Sequence, residues 1–196
     1  KSLPEHGLKT YLGLGYVERT PDFWELYSTS TDRGVGSTDM MGMTTYRMLD
    51  NLDNLKTERT AQLDLGFQAE QGAWSAWASA YAGLIKDFIL LEYNTPTMRQ
   101  PLARNVDATI AGAEADLGYQ FTDHFQADIS AMYAWGENRS DDRALPQIAP
   151  FEARMNLRYV DEKYSLGLLW RAVAKQDRIS LNEGNVVGYD MNESKA

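Results

Sequence analysis

The chain has 196 residues, a formal net charge of −9 and no cysteine. An acidic chain is unsuited to bind nucleic acid, because neutralising phosphates requires clustered Lys and Arg. The lack of cysteine excludes a disulfide framework and a thiolate metal site. No run of about 18 consecutive apolar residues occurs, so the sequence predicts no transmembrane helix. The length is that of one ordinary domain.

Alternation of apolar and polar residues predicts an all-β fold with about seven strands. In chain order, the predicted strands cover residues 8–19, 56–70, 73–91, 103–121, 125–137, 151–159 and 164–176. Each has one apolar and one polar face. In the second strand, for example, Ala61, Leu63 and Leu65 alternate with Gln62 and Asp64.

The joins between these strands alternate between very short and long. The short joins are residues 71–72, 122–124 and 160–163, and the long joins are 20–55, 92–102, 138–150 and 177–196. Short turns therefore fall at one end of the strands and long loops at the other. A transmembrane β-barrel has this arrangement, with tight turns in the periplasm and long loops outside the cell. We predict that residues 1–196 are part of one antiparallel up-and-down barrel domain, with the four long joins as outer loops.

Aromatic residues at the ends of the apolar faces support a membrane-spanning sheet. The residues concerned are Phe125, Trp135, Phe151, Tyr159, Tyr164 and Trp170. Such rings form the girdles found at the two membrane interfaces. A soluble β-sandwich with one solvated face is the alternative, because it also alternates. It explains neither the sorted joins nor the terminal aromatics.

Seven strands do not close a barrel on their own. Bacterial single-chain barrels have even strand numbers, and unpaired sheet edges are not tolerated in lipid. We therefore expect the chain to be a segment of a larger barrel. The alternative is a soluble piece that covers its sheet edges in another way.

Three stretches, in order along the chain, resemble signatures of the TonB-dependent outer-membrane receptors. The first, residues 15–27, contains Arg19 and Pro21 followed by Glu25-Leu26-Tyr27. The second is residues 54–67, and the third joins Asn105, residues 112–114 and residues 119–124. The resemblance implies a barrel of about 22 strands that encloses an N-terminal plug. It also implies that this segment lacks the plug and the last strands and is surrounded by outer-membrane lipid. The TonB complex would act on the receptor through a plug that is not part of this segment.

Within this family the chain resembles the copper-receptor branch. The similar stretches are residues 77–81, 86–90, 133–138 and 181–188. The branch implies transport of copper, with a metal site that uses residues of both plug and barrel. The expected function is import of a metal by outer-loop capture and TonB-driven passage.

Methionines in the predicted outer loops indicate the class of ligand. We predict Met40, Met41, Met43, Met48 and Met98 as metal-binding residues, and Met191 lies in a further outer loop. Thioether sulfur is a soft ligand that suits Cu(I). The alternative is that these methionines are flexible packing residues. No resident cofactor is expected, and copper would be cargo.

Two alternative functions remain open on the sequence alone. A receptor for iron chelates would use arginines of the outer loops, here Arg33, Arg47, Arg99, Arg139 and Arg143. A passive channel or structural barrel would need no energised transport.

The remaining polar residues point to structure. His6 and His124 fall at predicted turns and are not expected to be ligands. Arg19 and Glu25 are expected to pair at the start of the first long loop. A set of charged residues on the polar faces has two interpretations, a charge ladder that lines the lumen and docks the plug or a solvated polar wall, and the wall is favoured for any single residue: Asp64, Glu70, Glu114, Asp116, Arg154 and Arg158. We predict no enzymatic activity, because no loop Ser lies near His124 to form a triad.

Overall fold

The structure is a computed structural model that describes residues 2–3, 7–27, 37–38, 44–45, 55–93 and 102–184. Its secondary structure consists of short and long β-strands and one helical turn. In chain order these are β1 (Ser2–Leu3), β2 (Leu8–Arg19), α1 (Phe23–Tyr27), β3 (Ser37–Thr38), β4 (Thr44–Thr45), β5 (Glu58–Gln71), β6 (Trp74–Glu92), β7 (Leu102–Thr122), β8 (Phe125–Asn138), β9 (Arg143–Ala144), β10 (Glu152–Val160) and β11 (Ser165–Val173). Within the described ranges, no helix is long and apolar enough to cross a membrane.

One antiparallel sheet contains all the long strands. Its order is β1-β2-β5-β6-β7-β8-β10-β11, with β9 paired to the end of β8, while β3 and β4 pair with each other. Neighbours in the sheet follow one another along the chain, so the sheet is an up-and-down meander. The short joins after β5, β7 and β10 lie at one end of the strands, called here the turn end. The long joins after β2, β6 and β8 lie at the other, the loop end, so the predicted sorting is confirmed.

The seven predicted strands are present, with boundaries that differ by no more than three residues. The last one, β11, ends at Val173 rather than at 176. Val173 pairs with Glu152, where the neighbouring strand β10 begins, so the chain beyond it has no strand partner there. The prediction missed β1, β3, β4, β9 and α1. Elements of two to five residues are too short to display a period.

The two faces of the sheet differ as the alternation predicts, and the apolar face is open. Leu14 is 83 % exposed, and Leu168 and Ile129 on other strands are more than half exposed. A β-sandwich would bury such residues between its two sheets. The buried apolar cluster is small and lies toward the loop end, where Ile85, Ala108 and Leu145 pack together. The strand middles therefore present an unburied apolar surface.

Aromatic rings form a continuous row on the apolar face at the turn end. The ring centroids of Trp74 and Tyr119 are 4.3 Å apart, those of Tyr119 and Phe121 4.7 Å, and those of Phe121 and Phe125 5.2 Å. Tyr159 continues the row, because it pairs with Phe125 in the sheet register. Phe125 and Tyr159, two of the predicted aromatics at this end, therefore belong to one belt.

On the polar face, tyrosine rings lie flat over glycines of the next strand. Tyr11 covers Gly66, and Tyr81 covers Gly112, each pair being directly opposite in the register. A Cβ atom at either glycine would collide with the ring. Glycine in mid-strand, normally unfavourable, is explained here by this close approach.

Candidate functional site

The predicted metal-binding methionines lie outside the described residues. This applies to Met40, Met41, Met43, Met48 and Met98, and also to Met191 and His6. The two remaining methionines, Met132 and Met155, lie in β8 and β10. Within the described ranges, no three His, Asp or Glu side chains are arranged to hold a metal ion. The prediction of a methionine site stays a prediction.

The start of the first long join is fixed by the predicted pair of Arg19 and Glu25. The Arg19 guanidinium donates two hydrogen bonds of 3.0 Å to the two carboxylate oxygens of Glu25 and a third to Glu58 of β5. The same Glu25 accepts a bond from the Asp22 backbone N–H, and Asp22 accepts one from the Glu25 N–H, which is a capping box on α1. Glu25 is only 7 % exposed. The family-like signature is therefore a structural junction that directs the chain out of β2.

A second junction lies where β6 bulges. Asp87 adopts a left-handed backbone conformation (φ 57°), and the pairing of β6 with β7 shifts between Ile85 and Phe88. The Asn105 side chain bridges the gap this leaves toward the start of β5. Its Oδ1 accepts the Lys56 N–H at 2.7 Å, and its Nδ2 donates to the carbonyls of Lys56 and Asp87 at 3.1 and 2.6 Å. One side chain thus replaces the backbone pairing that the bulge removes.

A charged cluster ties three of the long joins together around Arg104. One guanidinium nitrogen of Arg104 lies 2.9 Å from Glu92, 2.5 Å from Asp141 and 3.5 Å from Glu183. The Arg143 guanidinium lies 3.5 Å from the same Glu183 carboxylate. Backbone bonds from Tyr93 to Asn182 (2.7 Å) and from Gly184 to Leu91 (3.1 Å) add a short bridge beside it. We call Glu92, Arg104, Asp141, Arg143 and Glu183 the loop anchor.

The two loop carboxyls of the anchor are held in opposite ways. Hydrogen bonding to the Arg104 guanidinium lowers the pKa of Asp141, and the Asn138 side chain adds a bond of 2.7 Å. Burial raises the pKa of Glu183, which is 1 % exposed, against the opposing effect of a hydrogen bond from Ser180. Asp141 is thus favoured as a carboxylate, whereas the surroundings of Glu183 make its charge costly.

Sequence reasoning missed the loop anchor. Its members lie on different joins and strand ends, so no local spacing connects them. The one signal in the sequence is the stretch 181–188, which carries the resemblance to the copper-receptor branch and contains Glu183.

The six charged residues proposed as a ladder or a solvated wall share the polar face, but they do not form ion pairs with one another among the described residues. Instead, neighbours two positions apart on one strand pair, as Gln62 does with Asp64 at 2.8 Å. Arg154 and Arg171 both bind Glu152, at 2.5 and 2.6 Å. The acidic residues of this set lie on β5 and β7 and its arginines on β10, where Glu152 lies between Arg154 and Arg171.

His124 occupies the turn after β7, as predicted. Its Nδ1 lies 3.0 Å from the Val160 carbonyl, which links that turn to the β10–β11 turn. Together, the junctions and the anchor hold turns and long joins in place on a rigid sheet. Such a frame is suited to presenting loops and a polar wall.

Comparison with known proteins agrees with this architecture. The chain matches the family model described as "TonB dependent receptor-like, beta-barrel" over residues 3–193. Among solved structures it is similar to one described as "Copper transporter OprC", with 44 % identity and a TM-score of 0.84 over 99 % of this chain and 28 % of that protein. No curated protein matches the chain.

A second solved structure shares the fold alone. The FrpB iron transporter from Neisseria meningitidis (F3-3 variant) has 19 % identity and a TM-score of 0.54, over 87 % of this chain and 25 % of that one. This chain spans 28 % and 25 % of the two transporters. The family model matches nearly the whole length of this chain, and the order of strands in the sheet agrees with it. The chain belongs to the family of TonB-dependent receptor β-barrels.

Proposed function

We propose that this chain forms part of the wall and outer loops of an outer-membrane receptor that imports copper. The observation that carries the proposal is the 44 % identity to a protein described as a copper transporter, sustained over 99 % of the chain.

In this proposal residues 1–196 belong to one barrel domain in the bacterial outer membrane. The open apolar face contacts lipid, which accounts for its many exposed leucines. The turn end faces the periplasm, and the long joins at the loop end face the outside. The polar face lines the lumen, where charged groups remain hydrated.

Copper would be captured by thioethers of the outer loops. Met40, Met41, Met43, Met48 and Met98 supply soft sulfur ligands, which favour Cu(I) over hard cations. The loop anchor holds the start of the join that contains Met98. The pair of Arg19 and Glu25 holds the start of the join that contains the other four methionines. Passage inward would then depend on a plug, contributed from outside this chain, and on energy from the TonB complex.

An iron-chelate receptor of the same fold is the alternative that outer-loop arginines kept open. Two of those arginines lie within the described residues. Arg143 is engaged by the buried Glu183 carboxylate, and Arg139 lies on the apolar side of the sheet. Neither of these two guanidinium groups is free to bind an anionic chelate in the lumen, and Arg33, Arg47 and Arg99 lie outside the described residues.

The test uses the intact receptor that contains this segment. We expect M40L/M41L/M43L to reduce Cu(I) affinity and uptake, because leucine keeps the side-chain volume but removes the sulfur. The matched control is M132L/M155L, which changes two methionines in strands and should leave Cu(I) affinity and uptake unchanged.

Two outcomes would redirect the proposal. Equal Cu(I) binding by the triple variant and the control would mean that the loop methionines only pack. Copper uptake that persists without the TonB complex would indicate a passive channel.

A further inference from the structure

A row of charged residues crosses the apolar side of the sheet near the loop end. In the sheet register Glu18 lies opposite Arg59, and Arg59 lies opposite Lys86. Two strands further along, the Arg139 N–H donates to the Asp107 carbonyl at 2.8 Å, which continues the row. These residues share the face of Leu63, Leu65 and the other apolar residues, so they lie on the outside of the wall.

Three cations of this row surround one groove of about 440 Å³. Arg59, Lys86 and Arg139 line it together with a single carboxylate, Asp107, and with the ring of Tyr16. Neither Lys86 nor Arg139 has an ion-pair partner among the residues that the structure describes. Arg59 has only a loose one, because its Nε lies 3.6 Å from the half-exposed Glu18. The groove is thus positively charged in a chain whose net charge is −9.

Within the part of the chain that the structure describes, two further charges near the groove do not neutralise it. Lys56 and Asp87 form their own pair of 3.9 Å nearer the loop end. Glu137, one row closer to the turn end, is not among the residues that line the groove.

The height of the groove on the wall matches a lipid headgroup. Lys86 follows the first residue of β6 by 12 positions, and Arg59 precedes the last residue of β5 by 12. At about 3.3 Å per residue and a tilt of about 40°, both lie about 30 Å from the turn end. The apolar band of such barrels is about 25 Å tall, so the cations lie just above its outer edge.

An apolar groove continues directly below the cations. It has a volume of about 320 Å³ and is lined by Leu14, Leu63 and Ala82, sharing Ala61 and Leu84 with the charged groove above it. Small alanines between larger leucines leave room for a hydrocarbon chain along the strands. The two grooves together match an amphiphile with an anionic head above and an acyl chain below.

We propose that this double groove binds a phosphate-bearing lipid of the outer leaflet. The guanidinium groups of Arg59 and Arg139 and the ammonium of Lys86 hold the phosphate, as clustered cations beside a membrane surface do. The acyl chain lies against Leu14, Ala61 and Leu84. The proposal rests on the membrane placement given under Proposed function and is independent of which metal is transported.

The experiment measures lipid binding to the intact receptor in detergent by native mass spectrometry, with diphosphoryl lipid A as the probe. K86Q/R139Q removes two cations without leaving a carboxylate unpaired and is expected to bind the probe about tenfold more weakly. K9Q/K163Q removes two exposed cations from the polar face and a turn and should bind like wild type. K86R/R139K keeps both charges and should also retain binding, which separates charge from folding.

Further measurements test whether the bound phosphate belongs to a lipid and whether lipid binding is independent of copper uptake. Inorganic phosphate at millimolar concentration should not displace the probe, and the chemically dephosphorylated lipid should bind all variants equally. Equal probe binding by K86Q/R139Q and K9Q/K163Q, or displacement by inorganic phosphate alone, would overturn the proposal. Copper uptake measured in parallel should be the same in wild type and K86Q/R139Q, so a failure of the copper proposal would leave the lipid result standing.

Discussion

Asn105 shows how a single side chain can take the place of strand pairing. Its amide makes three hydrogen bonds to the main chain of Lys56 and Asp87, at a bulge where β6 leaves its regular register. An amide is needed because it accepts one of these bonds and donates the other two. This requirement accounts for an Asn in a strand otherwise rich in alanine.

Two substitutions at Asn105 should therefore have different effects on the Lys56 amide. N105A removes the acceptor, so the Lys56 N–H should exchange with solvent much faster than in wild type. N105D keeps an acceptor but cannot donate, so this amide should stay protected while the protein loses about 1–3 kcal/mol of stability from two unpaired carbonyls. Hydrogen exchange with mass spectrometry and a urea unfolding curve measure both. Equal exchange in the two variants would show that Asn105 does not bond Lys56.

At the same scale, the sequence is informative only for contacts that are close along the chain. Arg19 and Glu25 were predicted to pair, because Pro21 ends the strand between them and the two charges are six residues apart. Arg104 lies in β7 and Glu183 follows β11, so all of β8 to β11 lies between them along the chain and no spacing indicates their contact. The methionine site lies outside the described residues and stays a prediction.

At the scale of elements, the loop anchor makes the long joins behave as one unit. Asp141 lies in the join after β8, Glu183 follows β11, and Glu92 ends β6. Arg104 of β7 contacts all three carboxylates. Loosening one join should therefore also loosen the bridge between Leu91–Tyr93 and Asn182–Gly184.

This coupling predicts a pH dependence. The pKa of Asp141 is lowered, so its contribution to anchoring is complete above its usual pKa of about 4 and is lost as the pH falls through the lowered value. The pKa of Glu183 is raised, so its contribution to anchoring depends on pH in the opposite direction and declines as the pH rises. D141N should reduce the hydrogen-exchange protection of Tyr93 and Gly184 at pH 7, and the gap from wild type should narrow below about pH 4.

The matched variant is E183Q in the same cluster. It removes the costly buried charge, so protection at pH 7 should not fall. If D141N and E183Q changed protection equally at every pH, the Arg104–Asp141 pair would contribute nothing to anchoring.

The long strands are largely predictable because the alternation of apolar and polar residues is visible in the sequence of each strand. β2 has the predicted bounds, and the other six long strands shift only at their ends. Those ends depend on where the partner strand begins, as for Val173 opposite Glu152. The two-residue strands β1 and β9 form by pairing with the longer strands β2 and β8, so no alternation in their own sequence predicts them.

At the scale of the whole molecule, the two faces of the sheet imply different surroundings. The apolar face exposes large side chains that a water-soluble protein would bury, whereas the polar face carries charges in mid-strand. Family membership accounts for both, because a barrel wall has lipid on one side and a wet lumen on the other. Neighbouring residues of one strand therefore provide a direct comparison of the two environments.

Ile129 and Ser130 are such a pair, since they are adjacent in β8 and point to opposite faces. Ile129 is 53 % exposed and follows the first residue of β8 by four positions, about 10 Å from the turn end and inside the apolar band. I129R should destabilise the receptor in bilayers by about 2–4 kcal/mol, because the guanidinium would enter hydrocarbon. S130R should change stability by less than about 1 kcal/mol, because Asp116 lies directly opposite on β7 and offsets the like charge of Arg154 on β10. Unfolding titrations of the intact receptor in lipid vesicles measure both, and equal costs would mean that the apolar face does not contact lipid.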